Sequence, residues 1–236
     1  MISVQAALDA LFALVQKPNV ETVDLTKAMG RVLARPIKAS RDQPPFDAAA
    51  MDGYAIAQPA AKRGDSYQVI GEAAAGRRFE GDLTPDTAVR IFTGAPVPAG
   101  TSAIIIQENA IRIADRIELS EDPNAQSHIR PAGNDFKTGS CLDAPKRLNS
   151  ADIALLASMN MTQIPVCKRP TIALLSTGDE LVMPGEQPGQ DQILASNTYG
   201  LAALLNSHGA DCRILPIARD TRASLKATFA LAAGSD

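Results

Sequence analysis

An apolar run that breaks on an acidic turn constrains this chain most. Thr171-Ile172-Ala173-Leu174-Leu175-Ser176-Thr177-Gly178-Asp179-Glu180-Leu181 begins just after Pro170 and ends on small residues and two adjacent carboxylates. A short apolar run bounded by turn residues reads as a buried strand of a parallel sheet. In open α/β sheets ligands bind at the carboxyl ends of the strands, which puts Thr177, Asp179 and Glu180 where such folds do chemistry. Ser196 or Asn197 then caps a helix carrying Tyr199, Leu201, Ala202, Leu204 and Leu205, and Gly209 stops it. Residues 212–217 read as a second strand, and Asp220 or Thr221 opens a helix with Leu225, Phe229 and Leu231. Two parallel strands with their helices leave a sheet edge open. The expectation is the front part of a longer protein, with its last domain cut roughly in half.

Upstream, Ser3 caps a helix with Val4, Ala7, Leu8, Leu11, Leu14 and Val15 on one side, and Pro18 ends it. Residues 20–25 are extended, and Thr26 caps a single turn that ends at Gly30. From 31 to 130 short apolar runs alternate with turn signals, among them Val32-Leu33-Ala34, Tyr67-Gln68-Val69-Ile70, Val89-Arg90-Ile91-Phe92 and Ala103-Ile104-Ile105-Ile106. That spacing suits a small β barrel or sandwich. Residues 111–119 read as a hairpin turning at Ala114-Asp115. Ser150 caps a helix with Ile153, Leu155, Leu156 and Met159, and a strand over 163–167 leads to a boundary at Lys168-Arg169-Pro170. The helices at 4–16 and 151–159 flank the β region in sequence, an order that allows them to pack together with the β region inserted between them. The fold class expected is multi-domain α/β: a helical linker region from 1–30 and 136–168, a small inserted β domain over 31–135, and an incomplete three-layer α/β domain with a parallel sheet over 169–236.

A net charge of −3 gives no electrostatic footprint for nucleic acid or an anionic membrane. No apolar run approaches the ~20 residues that span a bilayer. The N-terminus lacks the basic start and apolar core of a secretory signal, so the cytoplasm is expected. Cys141, Cys167 and Cys212 are far apart and odd in number, which fits buried thiols in a reducing compartment. His128 and His208 stand alone, whereas metal ligands come in clusters. Gly71 to Gly76 has phosphate-loop spacing, but Arg77-Arg78 follow where Lys-Ser/Thr is required. Any chemistry here rests on carboxylates, hydroxyls and backbone groups.

Four loops carry such groups: Pro45-Phe46-Asp47-Ala48-Ala49-Ala50-Met51-Asp52-Gly53-Tyr54, Thr93-Gly94-Ala95-Pro96-Val97-Pro98-Ala99-Gly100, Arg130-Pro131-Ala132-Gly133-Asn134-Asp135-Phe136, and Ser176 to Glu180. Each also has a plain reading. Asp52-Gly53 is a hairpin-turn signal, the two prolines of the second loop stiffen a connection, and Asp135 can cap its own turn. Carboxylates gathered in one pocket can also hold a divalent cation against a phosphate, because hard cations take oxygen ligands.

Together, Ala50-Met51-Asp52-Gly53-Tyr54-Ala55, Arg90-Ile91-Phe92-Thr93-Gly94-Ala95-Pro96-Val97-Pro98, Arg130-Pro131-Ala132-Gly133-Asn134-Asp135 and Ser176-Thr177-Gly178-Asp179-Glu180-Leu181 stand in the order seen in molybdopterin molybdenumtransferases. The chain resembles this molybdenum insertase family, which includes the E domain of gephyrin, from the N-terminal helix to Asp220. The resemblance implies a transferase of molybdenum cofactor biosynthesis. Its substrates would be adenylylated molybdopterin and molybdate, with molybdenum inserted into the dithiolene, AMP released, and Mg2+ or another divalent cation assisting. It implies an elongated homodimer, with the helical region in dimerisation, and an active site between the parallel-sheet domain of one subunit and the β domain of the other. A partnership with the molybdopterin adenylyltransferase follows from the same pathway. Matched by motif, the implied catalytic residues are Asp52, Thr93, Asp135 and Glu180. Thr177, Gly178, Asp179, Asn197 and Asp220 bind substrate, and Asp179, Glu180 and Asp220 hold the metal.

Two departures stand out. Ala48 and Ala49 replace an Asn and a Ser usual in the family. The family's glycine-rich loop, its lysine-proline-rich loop and its C-terminal β domain fall beyond Asp236, so little insertase activity is expected of these 236 residues alone. Adenylyltransferases of the pathway and competence-damage-inducible amidohydrolase-like proteins share the strand–Thr-Gly-Asp-Glu–helix unit but lack the loops around Asp52 and Thr93. A non-catalytic scaffold that keeps the dimerisation part is the third reading.

Overall fold

Alternation along Gln163–Cys167 makes this strand the organiser of the first part of the molecule: Ile164 and Val166 are fully buried while Gln163 is exposed. In the computed structural model, which describes residues 2–15, 17–123 and 127–236, it lies between Val20–Asp24 and Val32–Leu33, with Lys146–Arg147 outermost. All pair antiparallel. The chain forms two compact units, one of residues 1–36 with 143–236 and one of residues 37–142. Val32–Leu33 therefore belongs to this four-stranded sheet and not to the β region it adjoins in sequence.

Helix α1, Val4–Ala13, starts as its sequence dictates, with Ser3 Oγ accepting from Ala6 N at 3.1 Å. It stops at Ala13, short of Pro18, and buries none of its side chains; Leu11 is 60% and Phe12 70% exposed. Packing between the two flanking helices is thus not what joins the ends of the linker region. The strand pairing is.

Helix α2, Ser150–Ser158, is capped by Asn149 and not by Ser150. Asn149 Oδ1 accepts from Asp152 N at 3.0 Å, and Asp152 Oδ2 accepts from Asn149 N at 2.9 Å, a reciprocal box. Lys146 Nζ donates to the other Asp152 oxygen at 2.6 Å. The lysine bond first, then the Asn149 N–H, holds this buried carboxyl below the usual 3.8. Its contribution is complete above that unfolded value and is lost as pH falls through the lowered folded value. Asp152→Asn should therefore narrow the gap in melting temperature between pH 6 and pH 3 relative to the unaltered chain. An unchanged gap would rule this box out as a source of acid sensitivity.

In the unit 37–142 the six strands run Ala103–Ile106, Gly53–Ile56, Thr87–Ile91, Ser66–Ala73, Arg116–Leu119 and Ala110–Ile113 across one sheet. Ala55, Val89 and Ile104 pack on one face, and Tyr54, Ile56, Ala88 and Ile105 on the other, so the central strands are covered on both sides. The hairpin turns at Ala114 and Asp115, with Ala114 at φ 54°. Ser66–Ala73 and Thr87–Ile91 pair parallel around a bulge between Val69 and Gly71, which the sequence does not announce because no helix makes the crossover.

In the other unit Thr171–Leu174 pairs parallel with Asp211–Ile214, and helices α3, Ser196–Ser207, and α4, Arg222–Leu231, follow the two strands. Thr171–Leu174 is half-buried and not fully buried, since one neighbouring strand and its helices leave part of the sheet surface open. Leu201, Leu204 and Phe229 remain 49%, 54% and 63% exposed. Thr221 caps α4, but Ala195, not Ser196 or Asn197, precedes α3 and makes no side-chain cap. The result is an α/β protein with more sheet than helix. Among the described residues no helix is long and apolar enough to cross a membrane. Cys141 is exposed, against the expectation of a buried thiol, while Cys167 and Cys212 are half-buried.

Candidate functional site

The strap from Asp42 to Asp52 laces three loops of its unit together, and aspartates spaced five apart do the fastening. Asp42 Oδ1 accepts from Thr138 N and Thr138 Oγ1, both at 2.7 Å. Asp47 Oδ1 accepts from Ala132 N at 2.8 Å while its backbone carbonyl accepts from Val97 N at 2.9 Å. Asp52 Oδ1 accepts from Thr93 N at 2.8 Å and from Thr93 Oγ1 at 2.9 Å. Ionised carboxylates are acceptor-only, so they suit loops whose N–H groups lack a sheet partner. In Asp42 and Asp52 the backbone N–H bond leads, the threonine hydroxyl follows, and both hold the carboxyl below the usual aspartate value. Asp135, exposed, has its N–H on the Gln43 carbonyl at 2.8 Å and pairs with Arg130 at 2.6 Å.

Asp52-Gly53 is not a hairpin turn. Gly53 opens an interior strand, second from the sheet edge, and a Cβ there would run into the Ile105 carbonyl of the neighbouring strand. Close backbone approach, and not a positive φ, is what requires glycine here. Its neighbour Asp52 accepts from Gln107 N at 3.0 Å through the backbone, which fixes the start of the strand.

In the other unit the acidic turn stands at the carboxyl ends of the parallel pair. Thr177 bridges Ala218 in parallel register, extending the pair by one step. Asp179 Oδ1 accepts from Asp220 N at 3.2 Å, so the two acidic loops meet. Gly178 sits at φ +142°, and a Cβ on it would meet Glu180 Cδ at 2.8 Å; glycine lets the Glu180 carboxylate fold back over the turn. Arg219 Nη1 donates to the carbonyls of Gly178, Asp179 and Leu181 at 3.4, 2.9 and 3.0 Å. This cation clasp is missing from the motif reading, which weighed carboxylates; its only sequence signal is an arginine directly before Asp220. Asn197 is exposed in the first turn of α3. The buried residue there is Thr198, whose hydroxyl bonds Ser176 Oγ and ties the helix start to the strand end.

No group of three or more His, Cys, Asp or Glu side chains among the described residues is arranged to hold a metal ion. Asp179, Glu180 and Asp220 are not gathered in such a group, although the Asp220 N–H on Asp179 Oδ1 joins their two loops. The implied divalent cation does not fit this donor set by itself.

The model of the MoeA N-terminal region (domain I and II) matches residues 2–160. The chain belongs to the MoeA family. Its similarity to individual MoeA-type proteins runs further along the sequence. It is 36% identical to the molybdopterin molybdenumtransferase of Nostoc sp. over 98% of this chain and 56% of that protein. It is 33% identical to that of Haemophilus influenzae over 89% of this chain and 52% of that protein. A crystal structure of a molybdopterin biosynthesis MoeA protein from Pyrococcus horikoshii superposes with a TM-score of 0.87 at 30% identity, covering 98% of this chain and 61% of that one. The chain spans about half the length of the curated MoeA relatives it matches. Asp52, Thr93 and Asp135 fall inside the MoeA match, and Thr177 to Asp220 fall in the stretch that the longer alignments add.

Proposed function

We propose that this chain supplies binding and positioning groups of a molybdopterin molybdenumtransferase, which takes adenylylated molybdopterin and molybdate, inserts molybdenum into the dithiolene and releases AMP. The observation that carries this is the MoeA match over residues 2–160, which contains the laced loops of Asp52, Thr93 and Asp135. Breaking an adenylyl phosphoanhydride calls for charge stabilisation and a positioned nucleophile more than for a covalent protein intermediate. Carboxylates repel phosphate, so their own direct partners on the substrate are proton-bearing groups. Asp52 has one oxygen committed to Thr93, and its second is free to accept from an N–H of the pterin or an attacking hydroxyl. Glu180 and Asp220, both exposed, orient donors of the nucleotide half, while Asp135 orients through its pair with Arg130. Thr177, Gly178, Asp179 and Asn197 complete the substrate contacts.

The same reading makes the protein a cytoplasmic homodimer that receives its substrate from the pathway's adenylyltransferase. The apolar α1 helix, exposed along its length, supports the dimer. The linker region, within the unit of residues 1–36 and 143–236, is the assigned contact, and the β domain is the unit of residues 37–142. Complementation tests the function: the gene restores molybdenum-dependent enzyme activity to cells that lack insertion, and its Asp52→Ala form does not. Equal rescue by both forms would overturn the assignment.

A further inference from the structure

The Asp52–Thr93 pair has a neighbour that neither motif reading nor family match assigns. Arg90 lies opposite Tyr54 in the strand register, one residue beyond the Asp52-Gly53 step. Its guanidinium carbon stands over the Tyr54 ring at 5.0 Å and over the Phe92 ring at 4.8 Å. One terminal nitrogen donates to the Gly53 carbonyl at 3.2 Å and the other to Gln107 Oε1 at 2.8 Å. Gln107 in turn gives its backbone N–H to the Asp52 carbonyl at 3.0 Å, and its side-chain amide reaches Glu108 at 3.3 Å. The guanidinium therefore touches, directly or through Gln107, both peptide carbonyls that flank the Asp52 turn. Its ring partner Phe92 immediately precedes Thr93, the donor to the Asp52 carboxylate.

We propose that Arg90 is a positioning residue that holds the Asp52 carboxylate in register with Thr93. Several features make this more than a satisfied surface arginine. A planar fork on two aromatic faces has little freedom to wander, so its two hydrogen bonds are pre-organised. The contacts converge on one short stretch, 52–54, from two neighbouring strands. Arg90 is also the charge that adds to the pull of the two Thr93 bonds on Asp52. A lysine keeps the charge but loses the fork, so the two roles separate by substitution.

The proposal rests on the functional reading only for its kinetic arm. The deciding measurement is the carbon-13 NMR titration of the Asp52 carboxyl in this 236-residue chain. Arg90→Gln should raise its midpoint and remove the slowed exchange of the Thr93 amide, with the chain still folded. Arg90→Lys should restore most of the midpoint but not the amide protection. An Asp52 midpoint and Thr93 exchange that both stay unchanged in Arg90→Gln would overturn the proposal. In the protein as encoded by its gene, Arg90→Gln should lower kcat for AMP release about tenfold with KM within about twofold, as expected when orientation and not binding is lost. No AMP release by the unaltered protein would defeat the functional reading while leaving the titration to decide the role of Arg90. If Arg90→Gln unfolds the chain, the same two NMR readings on Gln107→Ala, which removes the acceptor that holds the fork, decide in its place: both unchanged overturns the proposal.

Discussion

Glu180→Ala, made in the protein as encoded by its gene, should lower AMP release from adenylylated molybdopterin by about a hundredfold to a thousandfold, the range for losing a group aimed at the reacting centre. Thermal stability should stay within about 0.5 kcal/mol, as for exposed side chains outside the core. Glu180 is exposed, and its backbone carbonyl accepts from Ile193 N at 2.8 Å. The glycine at φ +142° leaves room for the Glu180 carboxylate over the turn, an exposed position that suits the proposed contact with a ligand. AMP release at the normal rate by the variant would remove Glu180 from the site. A parallel loss of stability would make its role structural.

Gly53→Ala is the second large effect, and it falls on stability. The added Cβ has nowhere to go: Ile105 of the neighbouring strand brings its carbonyl into that space, with the carbonyl carbon at 2.8 Å. Gly53–Ile56 is hydrogen-bonded on both sides, to Thr87–Ile91 and to Ala103–Ile106, and buried on both faces. Relief requires moving a strand in a packed sheet, so the cost should reach about 3 kcal/mol or more, the upper end for overpacking. Urea unfolding should show a lower midpoint at an unchanged slope. A midpoint within experimental scatter of the unaltered chain would mean that the strands separate easily at Asp52, and the tight account of that loop would be wrong.

Local signals predicted the elements well where a residue acts on its own neighbourhood. Ser3 caps α1, Thr221 caps α4, Ala114-Asp115 turns its hairpin, and the parallel pair with its two helices follows the order read from the apolar runs. Prediction weakened where a distant partner competes. Ser196 and Asn197 both look like caps, yet α3 begins without one, and the hydroxyl that matters, Thr198, turns to Ser176 instead. Asp52-Gly53 carries a turn signature, but the reason for glycine is a strand that arrives from residue 105. Val32–Leu33 reads like its neighbours in the β region and pairs with strands more than a hundred residues away.

The site divides the same way. The motifs supplied its acidic residues, because carboxylates at turns are visible in a string of letters. Arg219 lies outside the motifs, and Arg90 and Asp47 stand within them without an assigned role; the work of all three is to hold carbonyls and N–H groups of loops remote in sequence. A residue whose partners are backbone atoms leaves no pattern of side chains to find. The metal expectation came from the resemblance and from residue type, and among the described residues no three such side chains are gathered to hold a cation.

Mixing the protein as encoded by its gene with adenylylated molybdopterin, adding molybdate, and counting AMP and pterin-bound molybdenum puts the whole account at stake. The account predicts molybdate-dependent release of one AMP for each molybdenum gained, abolished together by Asp52→Ala. Tight binding of the nucleotide with neither AMP nor molybdenum transfer, or AMP release that ignores Asp52, would contradict it.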